Sequence, residues 1–310
     1  MQGQLLHVPV LRDEVVDFLA DRDVGQAVDA TVGAGGHAEA LLASGRVGSL
    51  IGLDRDTRAL PLAKERLAPW GSRVTLVHAD FADLDEILES LGTGPVDAVL
   101  FDLGLSSMQV DEPERGFSYQ HDAPLDMRMD PSQPTTAYHL VNGLTRGELE
   151  RLLREYGEER WAGRIADFIV RARDRGRIET TGQLVEIVKA AVPAAARRQG
   201  GHPARRTFQA LRIAVNDELN ALERGLRAAM EALNPGGRLA VISFHSLEDR
   251  IVKRRFQEAS RSGGWRLLTP TPVSPGTREV EANPRARSAK LRVLERSGPV
   301  GGGSNAEAGE

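Results

Sequence analysis

The chain predicts an α/β protein built on a mostly parallel, doubly wound sheet, and three observations carry that expectation. Short apolar runs at 26–30, 50–53, 74–77 and 96–101 alternate with stretches of helical period, the pattern of repeated βα units. The first run leads straight into Thr31-Val32-Gly33-Ala34-Gly35-Gly36-His37, after which a helical pattern begins. Acids then mark the strand ends: Asp54 after the second run, Asp80 just past the third and Asp102 after the fourth.

The glycine stretch reads as a ligand cradle. Glycine between a strand and a helix lets the backbone take positive φ and approach a ligand closely. The first amides of the following helix point unsatisfied at whatever binds there. No Gly-Lys-Ser/Thr follows, so this is not a P-loop; the third position of the dinucleotide spacing G-x-G-x-x-G is Ala38, a variant that some dinucleotide folds tolerate, so the loop alone decides little. Asp54, about 20 residues beyond the glycines, is placed to accept hydrogen bonds from ribose hydroxyls. Acids on successive strand ends suit a ligand with a ribose, an adenine amine and a cationic centre, and suit two phosphates poorly. That combination favours S-adenosylmethionine over NAD.

Composition narrows the class. There are no cysteines among 310 residues, which excludes disulfides and thiolate metal sites, and the seven histidines show no ligand spacing. No basic leader precedes an apolar core at the N-terminus and no apolar run approaches spanning length, so a soluble cytoplasmic protein without membrane contact is expected. The net charge of −4 conceals an asymmetry. Residues 1–130 hold 23 acids against 10 bases, 160–212 hold 12 bases against 4 acids, and 246–296 hold 12 bases against 6 acids. Two basic segments beside an acidic cofactor half point to a polyanionic partner.

In chain order, a short amphipathic helix over 13–20 precedes the first strand, and His7 before it reads as a surface residue. After Asp102 the alternation stops. Residues 103–131 form a long stretch without helical period that keeps aromatics and methionines, which argues for an ordered functional loop. Helices are expected over 136–141, over 145–156 behind the Thr145/Glu148 capping box, from Trp161 to about Arg175, and over 183–191 capped by Thr181. A single long helix is expected from Arg206 to Leu233, ended by Asn234-Pro235-Gly236-Gly237. Residues 238–244 give a fifth strand and a basic helix follows His245. Leu267-Leu268 and 289–294 supply two last strands as a hairpin, seven in all. The resulting division places the sheet domain at 1–110 and 206–296, an inserted helical domain at 111–205, and a disordered Gly- and Ala-rich tail at 297–310.

Seven motifs in order then match a known family: 29–37 (Asp-Ala-Thr-Val-Gly-Ala-Gly-Gly-His), 102–107 (Asp-Leu-Gly-Leu-Ser-Ser), 114–118 (Glu-Arg-Gly-Phe-Ser), 124–130 (Pro-Leu-Asp-Met-Arg-Met-Asp), 156–160 (Tyr-Gly-Glu-Glu-Arg), 242–253 (Ile-Ser-Phe-His-Ser-Leu-Glu-Asp-Arg-Ile-Val-Lys) and 283–288 (Asn-Pro-Arg-Ala-Arg-Ser). From about His7 to Arg296 the chain resembles the RsmH/MraW family of bacterial small-subunit ribosomal RNA cytosine-N4 methyltransferases. The resemblance implies a class I Rossmann-like methyltransferase domain interrupted by a helical substrate-recognition domain. It implies S-adenosylmethionine as donor and a cytosine of the decoding centre of 16S ribosomal RNA as acceptor, with the RNA met in an assembled or nearly assembled subunit. A homodimer is compatible with it.

Carried over residue by residue, the resemblance implies cofactor contacts from Gly35, Gly36, His37, Asp54, Phe81, Asp102 and Gln109. Asp102 is the catalytic candidate, as acceptor of an amino proton. Related amine methyltransferases carry Asn/Asp-Pro-Pro-aromatic at this strand end, whereas Asp102-Leu103-Gly104 stands here. Phe117, Tyr119 and Phe244 are therefore open candidates for stacking on the base. His245 could shuttle a proton, hold a phosphate or be structural. Arg285, Arg287 and Lys290 are candidates for phosphate contact. No metal site is expected. The rival readings are an NAD-dependent dehydrogenase, lacking a clear Tyr-Lys or His-Asp set, a non-enzymatic RNA-binding protein, which leaves the acid-tipped strands unexplained, and a small-molecule methyltransferase, disfavoured by the basic insertion.

Overall fold

The computed structural model describes residues 9–197 and 201–298; His7 and the tail beyond residue 298 lie outside them. The chain divides into two compact units, one formed by 1–54, 58–103 and 223–310, the other by 55–57 and 104–222.

The first unit begins with α1 (Arg12–Leu19), β1 (Val24–Asp29), α2 (Gly36–Ala43), β2 (Val47–Asp54), α3 (Ala59–Leu67), β3 (Val74–His78), α4 (Leu84–Ser90) and β4 (Val96–Asp102). The inner strands are buried along nearly their whole length. Ala98, Val99, Leu100 and Phe101 of β4 are all inaccessible, as a strand covered on both faces requires. β1 pairs in parallel with β2 on one side and β4 on the other, so the C-terminal ends of the three strands lie side by side.

The second unit is helical. The long stretch after Asp102 contains one short helix, α5 (Ser107–Asp111), which the absence of periodicity did not predict; its Ser106/Gln109 capping box defines it locally. Five longer helices follow: α6 (Ala137–Gly143), α7 (Arg146–Gly157), α8 (Ala162–Arg173), α9 (Thr181–Ala191) and, after the short α10 (Ala194–Arg197), α11 (Arg205–Asn216). Phe117, Leu125, Met127 and Met129 of the intervening loop are buried with Leu149, Ile165, Val188 and Phe208 in one core, which is why that loop keeps its apolar residues. Two local expectations are corrected here. Thr180, not Thr181, caps α9, since its side chain accepts from the Gln183 amide; the Thr181 hydroxyl instead donates to the His121 carbonyl at 2.7 Å and accepts from the Ala123 amide at 2.9 Å. The helix expected from Arg206 to Leu233 is two helices. α11 ends at Asn216, Asp217 adopts the left-handed conformation (φ 49°), and α12 (Glu218–Ala232) starts afresh. The cause is Asn216, buried with its amide donating to the Met127 carbonyl at 2.7 Å and accepting from the Met129 amide at 2.8 Å. Asp is among the residues that tolerate the left-handed region at the break. α11 packs on α7 within this unit, so residues 205–222 group with the helices and not with the sheet.

From Glu223 the chain belongs again to the sheet unit, with β5 (Leu233–Ser243), α13 (Ser246–Ser262), β6 (Trp265–Leu267), α14 (Thr277–Ala282) and β7 (Lys290–Arg296). The strand order is β3-β2-β1-β4-β5-β7-β6. β7 runs antiparallel to both its neighbours while the other pairings are parallel, giving the seven-stranded, mostly parallel sheet of the class I methyltransferase fold.

Gly157 shows how closely α7 and α11 approach. A Cβ at this position would stand 2.7 Å from the backbone oxygen of Arg206, nearer than packed atoms come, and the obstacle is backbone that cannot rotate away. Gly157→Ala is expected to destabilise the helical unit by about 1–3 kcal/mol, despite the better helix propensity of alanine. A lower urea midpoint with unchanged slope is the measurement that checks it.

Candidate active site at the carboxyl ends of the strands

The site in the sheet unit is built by β1 and the turn that leaves it. Gly33 (φ 52°) and Gly35 (φ 82°) both occupy the left-handed region, so the chain reverses into α2 within a few residues, and a side chain at either position would be strained. The turn is pinned from the next strand, because the Gly33 amide donates to Oδ2 of Asp54 at 2.8 Å. It is pinned from the other side by Thr31, whose hydroxyl accepts from the Asp102 amide at 2.6 Å. Glycine at 36 has a different reason: a Cβ there would meet Pro9 at 2.6 Å, so close packing on the segment before α1 demands it.

His37, in the first turn of α2, points inward and is 5% exposed. Its Nε2 lies 3.5 Å from Oδ2 of Asp102, charge contact rather than hydrogen bond. Among the described residues, neither ring nitrogen of His37 nor Oδ1 of Asp102 has a hydrogen-bond partner, although all three atoms are buried. Buried polar atoms left without partners are costly and mark a place where a ligand completes the bonding. Asp29, at the end of β1, is 1% exposed, and the one hydrogen bond its side chain makes to the described residues is from the Thr31 amide to Oδ1 at 3.2 Å. Burial pushes its carboxyl up to about 7, against the pull of His37 and the Thr31 amide; the charges of Asp102 and Asp54 add to the rise. For His37 burial acts downward, but Asp102 and then Asp29 outweigh it and hold the imidazole above its ordinary range. The site therefore sets a buried histidine against the Asp102 carboxylate, with the carboxyl of Asp29 raised by burial nearby in the electrostatics of both.

The remaining candidates divide between the units. Phe81 follows Asp80, whose side chain caps the short 3-10 turn of 81–83 by accepting from the Ala82 amide, and its ring meets Phe101 edge-on at 5.2 Å. Gln109 belongs to the helical unit. It is buried, with its amide donating to Oδ2 of Asp56 at 2.9 Å, an oxygen that Arg115 also reaches at 2.9 Å. Asp56 was not singled out in the sequence, because an acid shortly after a strand looks like any helix-start residue; its burial arises only from the fold. Asp29 and Thr31 were missed for the converse reason: they stood inside the recognised motif but looked like the tail of an apolar strand.

His245 caps α13 reciprocally with Glu248, whose carboxylate accepts from the Phe244 amide at 2.8 Å and the His245 amide at 3.2 Å. Lys290 is ion-paired with Asp249 at 2.9 Å, and Arg292 pairs with the same carboxylate at 2.7 Å. Arg285 and Arg287 are exposed on the 3-10 turn of 284–288. Of the aromatics considered for stacking, Phe117 is buried in the helical core, and Tyr119 stacks on His202 at 4.5 Å. Phe244 is partly buried against the core of the sheet unit.

The description "MraW methylase family" belongs to a family model that matches residues 4–297. The chain belongs to that methylase family. A relative from Symbiobacterium thermophilum, named ribosomal RNA small subunit methyltransferase H, is 58% identical over 304 residues, 93% of this chain and 96% of that one. One of the same name from Heliobacterium modesticaldum is 54% identical over 308 residues, 94% and 98% of the two chains. A third, from Halothermothrix orenii, is 51% identical over 308 residues, covering 94% and 99%. The glycine turn, Asp54 and the His37–Asp102 pair of this methylase fit a donor carrying a ribose and a cationic centre: carboxylates face the site and buried polar atoms await partners.

The shift of Asp29 sets a pH dependence. A carboxyl whose folded pKa is raised binds its proton more tightly in the native state, so its stabilising effect is complete below its unfolded pKa and is lost as pH rises through the folded value. Stability attributable to Asp29 should therefore fall between about pH 4 and 7 and level off above. Asn cannot titrate, so the melting temperature of Asp29→Asn relative to wild type should climb across that window. Parallel melting curves of the two proteins from pH 4 to 8 check it; a constant difference refutes the assignment.

Proposed function

We propose that the chain transfers the methyl group of S-adenosylmethionine to the exocyclic N4 of a cytidine in the decoding region of small-subunit (16S) ribosomal RNA, in the bacterial cytoplasm. The observation that carries the reading is Asp102: a half-buried carboxylate at the end of a central strand, with one oxygen near a buried histidine and the other without a partner among the described residues.

The donor supplies an electrophilic methyl on a sulfonium. Asp54 is placed to take the ribose hydroxyls, Phe81 to pack on the adenine, and the turn at Gly33–Gly35 to let backbone come close. Cytosine N4 is a weak nucleophile because its lone pair is conjugated with the ring. Methyl transfer is an in-line displacement, so alignment of the amine contributes most. Asp102 accepts a hydrogen bond from the amino group and keeps the lone pair free, then takes the proton that the methylated nitrogen sheds. His37 opposes the charge on Asp102 and holds the carboxylate in place. The base is reached single-stranded or flipped out of its helix.

The helical unit serves recognition of the RNA in this reading. Arg160, Arg164, Arg171, Arg175 and Arg177 are all exposed there, as contacts to a phosphate backbone need to be. Arg285 and Arg287 are placed to add phosphate contacts from the sheet unit. Lys290 is already engaged by Asp249 and His245 by its helix, so both act by shaping their surroundings. Small subunits from cells lacking this protein, assembled or nearly so, are the substrate to use. No helix among the described residues is long and apolar enough to cross a membrane.

Incubated with such subunits and labelled donor, the wild-type protein should place label on cytosine N4, identified by the mass of the released nucleoside. Asp102→Ala should lower the single-turnover rate by about 10²- to 10⁴-fold while donor binding, followed by calorimetry, persists. Loss of binding together with rate would make Asp102 a cofactor ligand first; no label from wild type would overturn the ribosomal reading. Asp54→Ala, by contrast, should weaken donor binding by roughly 10- to 100-fold, the loss of a charge-assisted hydrogen-bond acceptor. Its rate at saturating donor should change little.

A further inference from the structure

Away from the strand ends, α12 and α13 enclose a groove of about 370 Å³ lined by Glu223, Arg224, Leu226, Arg227, Ile251, Arg254, Arg255 and Glu258. Its floor is apolar, with Leu226 fully buried and Ile251 half-buried. Its walls carry four arginines against two glutamates. Two of the arginines are committed: Arg254 bridges the helices to Glu223 at 2.8 Å, and Arg224 reaches Asp83 at 2.7 Å. Arg227 and Arg255 are exposed, and neither has an ion pair or hydrogen bond to the described residues. The neighbouring Lys253 is exposed as well. Gathering guanidinium groups in one groove is repulsive unless an anion lies between them. The planar fork of Arg matches phosphate oxygens two at a time, and its hydration is weak enough to be given up there.

We infer that this groove holds the ribose–phosphate backbone of the RNA substrate at a point outside the methyl-transfer site, with Arg227 and Arg255 as its phosphate ligands. The inference rests on the RNA reading given above and extends it to a second place on the protein. Arg254 and Glu223 tie the two helices together, so Arg227 and Arg255 are presented on a fixed frame. The apolar floor suits the face of a sugar or a splayed base. A groove of this size admits a nucleotide or so of backbone. Phosphate ligation of this kind fixes register and carries no sequence information; selection of the base is left to the pocket around Asp102.

The test uses the full chain with Arg227→Gln and Arg255→Gln combined, beside a control of equal charge loss at two exposed positions outside the groove, Arg46→Gln with Lys64→Gln. Binding to a small-subunit RNA fragment and to unmodified subunits is measured against KCl concentration, with methyl transfer to the subunits in parallel. The groove variant should bind both about tenfold more weakly, and the slope of log affinity against log salt should shrink by about one for each phosphate no longer engaged. Its KM for subunits should rise with kcat and donor affinity unchanged, and the control should track wild type. Slope and KM equal to wild type would overturn the inference. So would intact binding to the RNA fragment with weakened binding to subunits, which would place a ribosomal protein in the groove. Failure of wild type to methylate any RNA would overturn the functional reading instead; the comparison of salt slopes still decides whether the groove holds RNA.

Discussion

The pairing of β1 with β4 is the constraint on which the site depends. Parallel register brings the end of β1 beside the end of β4, so the turn leaving one strand and the carboxylate ending the other occupy the same place. Thr31 locks the two together through the Asp102 amide, and the left-handed glycines send the chain back so that His37 enters the same space. A shift of one residue in that register would turn Asp102 to the other face of the sheet, and the histidine would lose the carboxylate its Nε2 faces at 3.5 Å.

This arrangement is costly in isolation. Three buried polar atoms lack partners among the described residues, and one carboxyl is lifted to about 7. Proteins keep such unsatisfied groups where a ligand supplies the missing bonds, and here they face the end of the sheet where ligands of doubly wound folds bind. The hydrophobic core of the sheet unit, with β4 inaccessible along its centre, supplies the stability that lets these groups stay unsatisfied.

The helical unit shows a different economy. Its loops are ordered by a few buried polar side chains that serve backbone groups in place of secondary structure: Asn216 for Met127 and Met129, Thr181 for His121 and Ala123, and Arg115 for Asp56 and the carbonyls of Arg128 and Met129. Each satisfies donors or acceptors that a loop buried in a core would otherwise leave bare. Asn216 also explains why one amphipathic run became two helices. The apolar period continues across residues 206–233, and nothing in that period registers the tertiary bonds that stop a helix at 216.

Local chemistry made the strand–loop–helix order, the glycine turn after β1, the acid-tipped strands and the Thr145 cap legible from the sequence alone, because periodicity, positive-φ glycines and capping residues act over a few positions. The seven strands and the family motifs were readable for the same reason. Which carboxylates are buried, and against what, was decided only by tertiary structure. Asp29 and Asp56 look ordinary in the chain, yet one carries a shifted pKa beside His37 and the other anchors Gln109 and Arg115. Lys290, readable as a free cation, proved to be paired with Asp249 forty-one positions away. Burial and long-range pairing depend on residues that meet only once the sheet has formed, and a sequence pattern that extends over a single element holds no record of them.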